Sequence, residues 1–318
     1  MKTLPSDQRA LLFGLGAVLS WSTVATAFKI ALSLVDTYQL LFLATFTASV
    51  ILLVLVLFKF GVTTLIRNFC SHWKLTLLAG LLNPIVYYHL LFRAYDLLPA
   101  QVALSINYSW AIVLTLMAVV FLKQKIQRID LVTAGICYVG VVIIATGGDF
   151  TSLQLAGSLG VVLALLSTFV WAAYWILNIK DGREPMVGLC LNFLVALPVT
   201  AVGCYVFSDF AVPFNGVLAA SYVGVAEMAA GFLFWSTALK LSNNASKVSN
   251  LVFLSPFISL VFIHFFLEEP VTAATLFGLT LIVSGLICQQ LVHESSGKGG
   301  AASKSEIHPE LSEPMPSR

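Results

Sequence analysis

Ten stretches of about 20 mainly apolar residues follow one another along this chain, joined by short connections. They fall at roughly 11–34, 38–58, 75–98, 100–122, 129–147, 156–179, 186–207, 216–239, 246–267 and 272–292. At about 1.5 Å of rise per residue, each can cross the hydrocarbon core of a bilayer as a helix. A helix is the segment that satisfies its own backbone N–H and C=O groups where no water can. The chain is 59% hydrophobic and 10% charged, against about 25% charged in a soluble domain. A water-soluble fold of this length has no interior large enough for that apolar surface. The reading is an all-α membrane protein with ten transmembrane helices.

The charges set an orientation. With the N-terminus on the cytoplasmic side, all but two of the 17 Lys and Arg residues fall on the inner face. Lys59, Arg67 and Lys74 lie in one inner connection, Lys123, Lys125 and Arg128 in the next, then Lys180 with Arg183 and Lys240 with Lys247. The outer connections carry Asp36, Asp96, Asp149, Asp209, Glu268 and Glu269. Cytoplasmic loops are the ones enriched in Lys and Arg, so both termini are expected in the cytoplasm. Residues 294–318 are rich in Ser, Gly, Pro and charge and read as a disordered cytoplasmic tail. Ala25-Thr26-Ala27 has the form of a signal cleavage site, but its apolar run is longer than a signal core and continues through Leu34. The five cysteines show neither CxxC nor metal spacing. No basic block points to nucleic acid, and no metal or cofactor is implied.

One motif occurs twice. FLKQKIQ (Phe121–Gln127) returns 145 residues later as FLEEPVT (Phe266–Thr272), with Lys123 and Lys125 replaced by Glu268 and Glu269. At the same offset Gly140 matches Gly285, and Ala100 matches Ala245. One residue out of step, GLLNPIVYYHLLFRA (80–94) lines up with GVAEMAAGFLFWSTA (224–238), which pairs Asn83 with Glu227. Trp21 and Trp171 align spans 1 and 6 more weakly. Positive loops stay inside, so the unit occurs once each way up. We expect two inverted five-helix repeats, 1–148 and 149–293. In secondary transporters built this way the substrate site lies where the repeats meet.

The residues WSTVATAFKIAL (21–32), WAAYWIL (171–177) and FLSPFISLVFIHFFLEEPVT (253–272) leading into FGLTLIVSGLI (277–287) resemble the EamA-like ten-helix branch of the drug/metabolite transporter superfamily. Pro256, Glu269 and Gly278 stand where that family's closing motif has them. The first half departs from the pattern, with Ala111 opposite Pro256, Gln124 in place of a glutamate and Ala44 where span 2 often has an arginine. The resemblance implies a central cavity lined by spans 1, 3, 4, 6, 8 and 9. It also implies export of amino acids, other metabolites or drugs, often driven by protons.

Several residues could carry such a function. Glu227 is the only acidic residue deep inside a span, where a charge costs about 3 kcal/mol even on lenient scales. Small residues at helical spacing around it (Gly224, Ala230, Gly231) mark a face turned to other helices or to a cavity. It is the candidate proton-coupling residue; the competing reading is a neutral carboxyl bonded to a neighbouring helix. Ser22, Thr26 and Lys29 form a polar stripe on span 1, and Lys29 with Arg93 could bind an anion. Alternatively both cations reach the outer interface, with Arg93 pairing with Asp96. Trp171, Tyr174, Trp175 and Asn178 on span 6, Asn83 and Tyr87 on span 3, Ser105 and Tyr108 on span 4 and Asn250 on span 9 complete the cavity candidates. Aromatics with amides suit an amphipathic or aromatic solute, although core packing accounts for the same pattern. His89 and His264 read as structural, and Pro84, Pro198 and Pro256 as helix bends.

The sequence therefore predicts a proton-coupled exporter of a small organic metabolite such as an amino acid, amine or drug-like solute. It would act in a bacterial-type inner membrane as a monomer or homodimer. The alternatives are a uniporter or exchanger for an anionic metabolite using Lys29 and Arg93, and a membrane-embedded lipid enzyme. The enzyme would need clustered His, Asp or Ser at one interface, and the metalloprotease, hydrolase and P-loop motifs are absent. The topology has a direct check. In a cysteine-free background, a cysteine at position 269 should react with an impermeant maleimide in intact cells and one at 125 should not; the opposite pattern overturns the inverted repeat.

Overall fold

The computed structural model describes residues 5–123, 128–149, 158–242 and 250–305, with residues 158, 250 and 293–305 given by backbone alone. Every regular element among them is helical. In chain order these are α1 (Ser6–Leu32, interrupted at Thr23), α2 (Thr37–Gly80), a π-helical segment (Leu81–Val86), α3 (Tyr87–Leu97) and α4 (Ala100–Phe121, interrupted after Asn107). Then come α5 (Arg128–Ala145), α6 (Ser158–Lys180), α7 (Pro185–Phe207) and α8 (Phe214–Leu241), whose middle, Gly224–Gly231, is again π-helical. A 3-10 turn (Asn250–Leu254), α9 (Ser255–Leu267) and α10 (Ala273–Ser305) follow.

Eight helical stretches among the described residues are long and apolar enough to cross a membrane, rather than the ten expected. Two things account for the difference. First, the expected spans 38–58 and 75–98 belong to one 61-residue stretch, Thr37–Leu97. Straight, it would measure about 90 Å. It is not straight: Gly61 has φ 75° and His72 is also off helical geometry. The rings of Tyr38 and His89, near its two ends, lie 5.1 Å apart, so the chain doubles back. Second, the expected span 246–267 is a 17-residue apolar helix, Leu251–Leu267. Pro256 sits in the first turn of α9, where a proline's missing N–H takes no bond from the helix. It starts a helix instead of bending one. The last helix runs to Ser305, beyond residue 294 where the tail was expected to begin, and residues 306–318 lie outside the described residues.

Local chemistry explains where helices begin and end. Asp36 opens α2 with a capping box: its Oδ1 accepts from the N–H groups of Tyr38 (2.7 Å) and Gln39 (3.0 Å), while the Gln39 side chain accepts from the Asp36 N–H. Lys123 and Glu268 follow α4 and α9, and both have φ 55°. That left-handed turn stops a helix. It occurs at the same point of the two motif copies.

Small residues let backbones approach. A Cβ on Gly140 would lie 2.6 Å from the Gly278 carbonyl oxygen, and the reverse distance is the same. Cys137 donates to the Ile282 carbonyl at 3.6 Å, and the Thr133 hydroxyl to that of Gly285 at 3.5 Å. As one residue number falls the other rises, so α5 and α10 run antiparallel. The α1–α8 and α3–α6 pairs are antiparallel by the same test: Ser20 bonds the Ala226 carbonyl and Thr23 the Tyr222 hydroxyl, while Gly160 meets Leu98 and Trp171 meets Tyr87. Overpacking such a contact costs about 1–3 kcal/mol. Gly140→Leu should therefore lower the thermal unfolding midpoint in detergent. Gly135→Leu, on the same helix with nothing within 4 Å of its Cβ position, should leave it unchanged; equal effects would contradict the α5–α10 packing.

Candidate functional site

The breaks in α1, α4, α8 and before α9 turn side chains toward one cavity of about 350 Å³ at the centre of the bundle. Its walls come from α1 (Trp21, Phe28), α3 (Tyr87, Tyr95), α4 (Asn107, Tyr108, Trp110), α6 (Trp171, Trp175) and α8 (Glu227, Phe232, Trp235). Val252 and Phe253 of the 3-10 turn close one side, and Leu286 and Gln290 of α10 another. The aromatic rings touch in series. Trp21 meets Phe232 edge-on at 6.1 Å and Trp235 at 5.5 Å. Phe232 meets Trp171 at 5.8 Å, Trp171 stacks on Tyr87 at 4.4 Å, and Trp110 stacks on Trp175 at 6.4 Å.

The cavity holds one carboxylate. Glu227 lies in the π-helical segment of α8 and accepts a hydrogen bond from the Tyr88 hydroxyl of α3 at 3.0 Å. A π-turn displaces side chains from the regular helical register and is frequent at functional positions. Asn107 bridges two walls: its Nδ2 donates to Ser167 (3.1 Å), and its Oδ1 accepts from Tyr87 (3.4 Å).

Of the residues picked from sequence, Glu227, Tyr87, Tyr108, Trp171 and Trp175 line this cavity. The others stand behind it or elsewhere. Tyr174 is buried under Trp171, 5.6 Å away, and Asn178 donates to the Tyr174 carbonyl. Asn83 is fully buried in the other π-helical segment, outside the cavity lining. Ser22 is buried against Ser255, and Ser105 donates to the Gln101 carbonyl. Thr26 faces a separate apolar groove between α1, α8 and α9. The Asn250 side chain lies outside the described residues. Periodicity missed Trp21, Tyr95, Asn107, Trp110, Phe232 and Trp235 as wall residues. Aromatics at helical spacing look alike whether they pack or line a void.

The two exceptional cations are engaged away from the cavity. Lys29 Nζ donates to the carbonyls of Tyr95 (2.9 Å) and Leu98 (3.1 Å), capping the end of α3. Arg93 pairs with Asp96 beside an open polar basin that also holds Asp36 and His89. The same end of the bundle carries a latch. Glu269 accepts from the Ala100 N–H at 3.0 Å, at the start of α4. Gln101 Nε2 donates to the Pro270 carbonyl at 2.8 Å, and Gln101 Oε1 accepts from the Thr272 N–H at 3.2 Å. At the opposite end, Arg183 is buried between Asp181 (2.7 Å) and Thr76 (2.7 Å). Burial works against the Asp181 charge, but the Arg183 hydrogen bonds and charge outweigh it and hold the carboxyl below its usual range.

Fold and cavity together define a multi-pass helical membrane protein with an internal, aromatic-walled site. The model of the EamA-like transporter family matches residues 8–146 and again 158–289, and the chain belongs to that family. It is 27% identical over 293 residues to the uncharacterised transporter YvbV of Bacillus subtilis, covering 90% of this chain and 92% of that one. It is 28% identical to protein PecM of Dickeya dadantii, covering 69% of this chain and 73% of the relative. A solved crystal structure, 20% identical, superposes with a TM-score of 0.62 over 89% of this chain and 96% of its own, which establishes a shared fold. Each of these four comparisons is one of likeness in sequence or shape.

Proposed function

We propose that this transporter couples proton entry to the export of a small organic solute, with both termini in the cytoplasm of a bacterium. The single observation that carries the proposal is Glu227, a lone carboxylate on the wall of a membrane-embedded cavity. An unbalanced charge at that depth costs about 3 kcal/mol or more. Glu227 can therefore cross between the two faces with a proton or with a compensating substrate, and an empty ionised site is held back. Outside, where protons are abundant, protonation releases the solute. Inside, loss of the proton readies the site for the next one. Alternation of this kind exchanges one ligand for the other.

An architecture of ten crossings in two inverted halves supports the reading. The eight spanning stretches become nine because Thr37–Leu97 doubles back, and ten with Leu251–Leu267. Equivalent features recur across the halves: the π-helical segments around Asn83 and Glu227, the left-handed Lys123 and Glu268, and the contacts Gly140–Gly278 and Thr133–Gly285. Trp21 over Gly231 and Trp171 over Tyr87 make another such pair. The family model matching twice is independent support for a duplication. In this orientation the Glu269–Gln101 latch closes the outer end, and the cavity extends to Gln290 near the inner end. The structure then represents an inward-facing state. Anion exchange through Lys29 and Arg93 is disfavoured, because both are bonded outside the cavity.

Glu227→Gln mimics the protonated form. In proteoliposomes it should bind the solute more weakly and lose accumulation driven by a pH gradient. Full gradient-driven accumulation by Glu227→Gln would move the proton elsewhere and leave Glu227 a structural residue.

A further inference from the structure

The charge inventory of the cavity wall is one-sided. Among the described lining residues there is a single formal charge, Glu227, and no Lys, Arg or His. Its carboxylate receives one hydrogen bond, from Tyr88. The two nearby-span cations are occupied elsewhere, Lys29 by the carbonyls that end α3 and Arg93 by Asp96. Of the lining amides, Asn107 donates one N–H to Ser167 and accepts from Tyr87. An anionic solute entering this space finds no positive partner and meets a carboxylate. A zwitterion satisfies its ammonium and leaves its own carboxylate beside the carboxylate of Glu227.

A cation meets two attractive elements at once. The negative charge of Glu227 pairs with it, and the ring faces of Trp21, Tyr87, Trp110, Trp171 and Trp175 carry the quadrupole that attracts cations and stacks on flat bodies. The space of about 350 Å³ takes a body of one or two rings. We infer that the substrate is an amphipathic organic monocation, an amine or quaternary ammonium on a flat apolar body, and that Glu227 is its counter-ion. The inference rests on the cavity being the transport site, and it narrows the solute from the broad range of organic metabolites to one charge class.

Three indoles sharing one ring system separate the charge classes without any mutation: tryptamine, tryptophan and indole-3-propionate. Their binding to the purified full chain in nanodiscs is measured by calorimetry near neutral pH. Tryptamine should bind about tenfold more tightly than tryptophan or better, a factor within reach of one ion pair with cation–π support, and indole-3-propionate should bind weakest. Glu227→Gln should erase most of the preference for the cation, and Glu227→Asp should restore it. Equal or tighter binding of tryptophan or the propionate, absence of tryptamine binding, or a preference unchanged in Glu227→Gln would each overturn the inference. The outcomes are separable from those of the transport test. A cation preference together with gradient-driven accumulation by Glu227→Gln removes proton coupling alone. Loss of accumulation without any cation preference removes the substrate class alone.

Discussion

A carboxylate inside a membrane has to be answered by something, and among the described residues Glu227 is answered by a single hydroxyl, that of Tyr88. Water would hydrate the charge and hydrocarbon would expel it. The surrounding architecture supplies a third solution, a small cavity walled by aromatic rings. The π-helical turn of α8 turns the carboxylate toward this space, and the breaks in α1 and α4 supply the opposite walls. Fixed connections that depend on small residues, such as Gly140 against Gly278, keep the scaffold close enough for the cavity to stay narrow.

The two stretches that the family model matches share backbone features and differ in charge. Asn83 and Glu227 both lie in π-helical segments, yet Asn83 is fully buried outside the cavity lining and Glu227 lines the cavity. The third residues of the two motif copies, Lys123 and Glu268, adopt the same left-handed turn and carry opposite charge. Backbone shape is thus shared at these positions while the side-chain chemistry differs. The latch of Glu269 and Gln101 against the start of α4 and the 270–272 turn joins elements of both halves. Separating these elements would require the hydrogen bonds to be exchanged for others.

Membrane character was legible because hydropathy follows directly from the need to bury backbone polar groups. The flipped charge of FLKQKIQ and FLEEPVT pointed to the same turns that the backbone forms at Lys123 and Glu268. Helix ends were less legible. Lys59 to Lys74 read as a loop, whereas the backbone stays helical through most of it and turns at Gly61 and His72. The site was half legible: a lone acid in an apolar span identifies itself, but an aromatic residue does not announce whether it packs or lines. Lys29 shows the converse. Its charge suggested a ligand, and the structure gives it the carbonyls at the end of α3, an acceptor set that hydropathy and spacing do not reveal.

The account turns on one carboxylate serving a proton and a cationic solute in turn, and that claim is open to direct counting. Proton release can be followed with a pH indicator as tryptamine is titrated into the weakly buffered protein over a range of pH. The account predicts release that approaches one proton per tryptamine bound as the starting pH is lowered, and its disappearance in Glu227→Gln. Tryptamine binding with no proton released at any pH, or with the same release from Glu227→Gln, would contradict it.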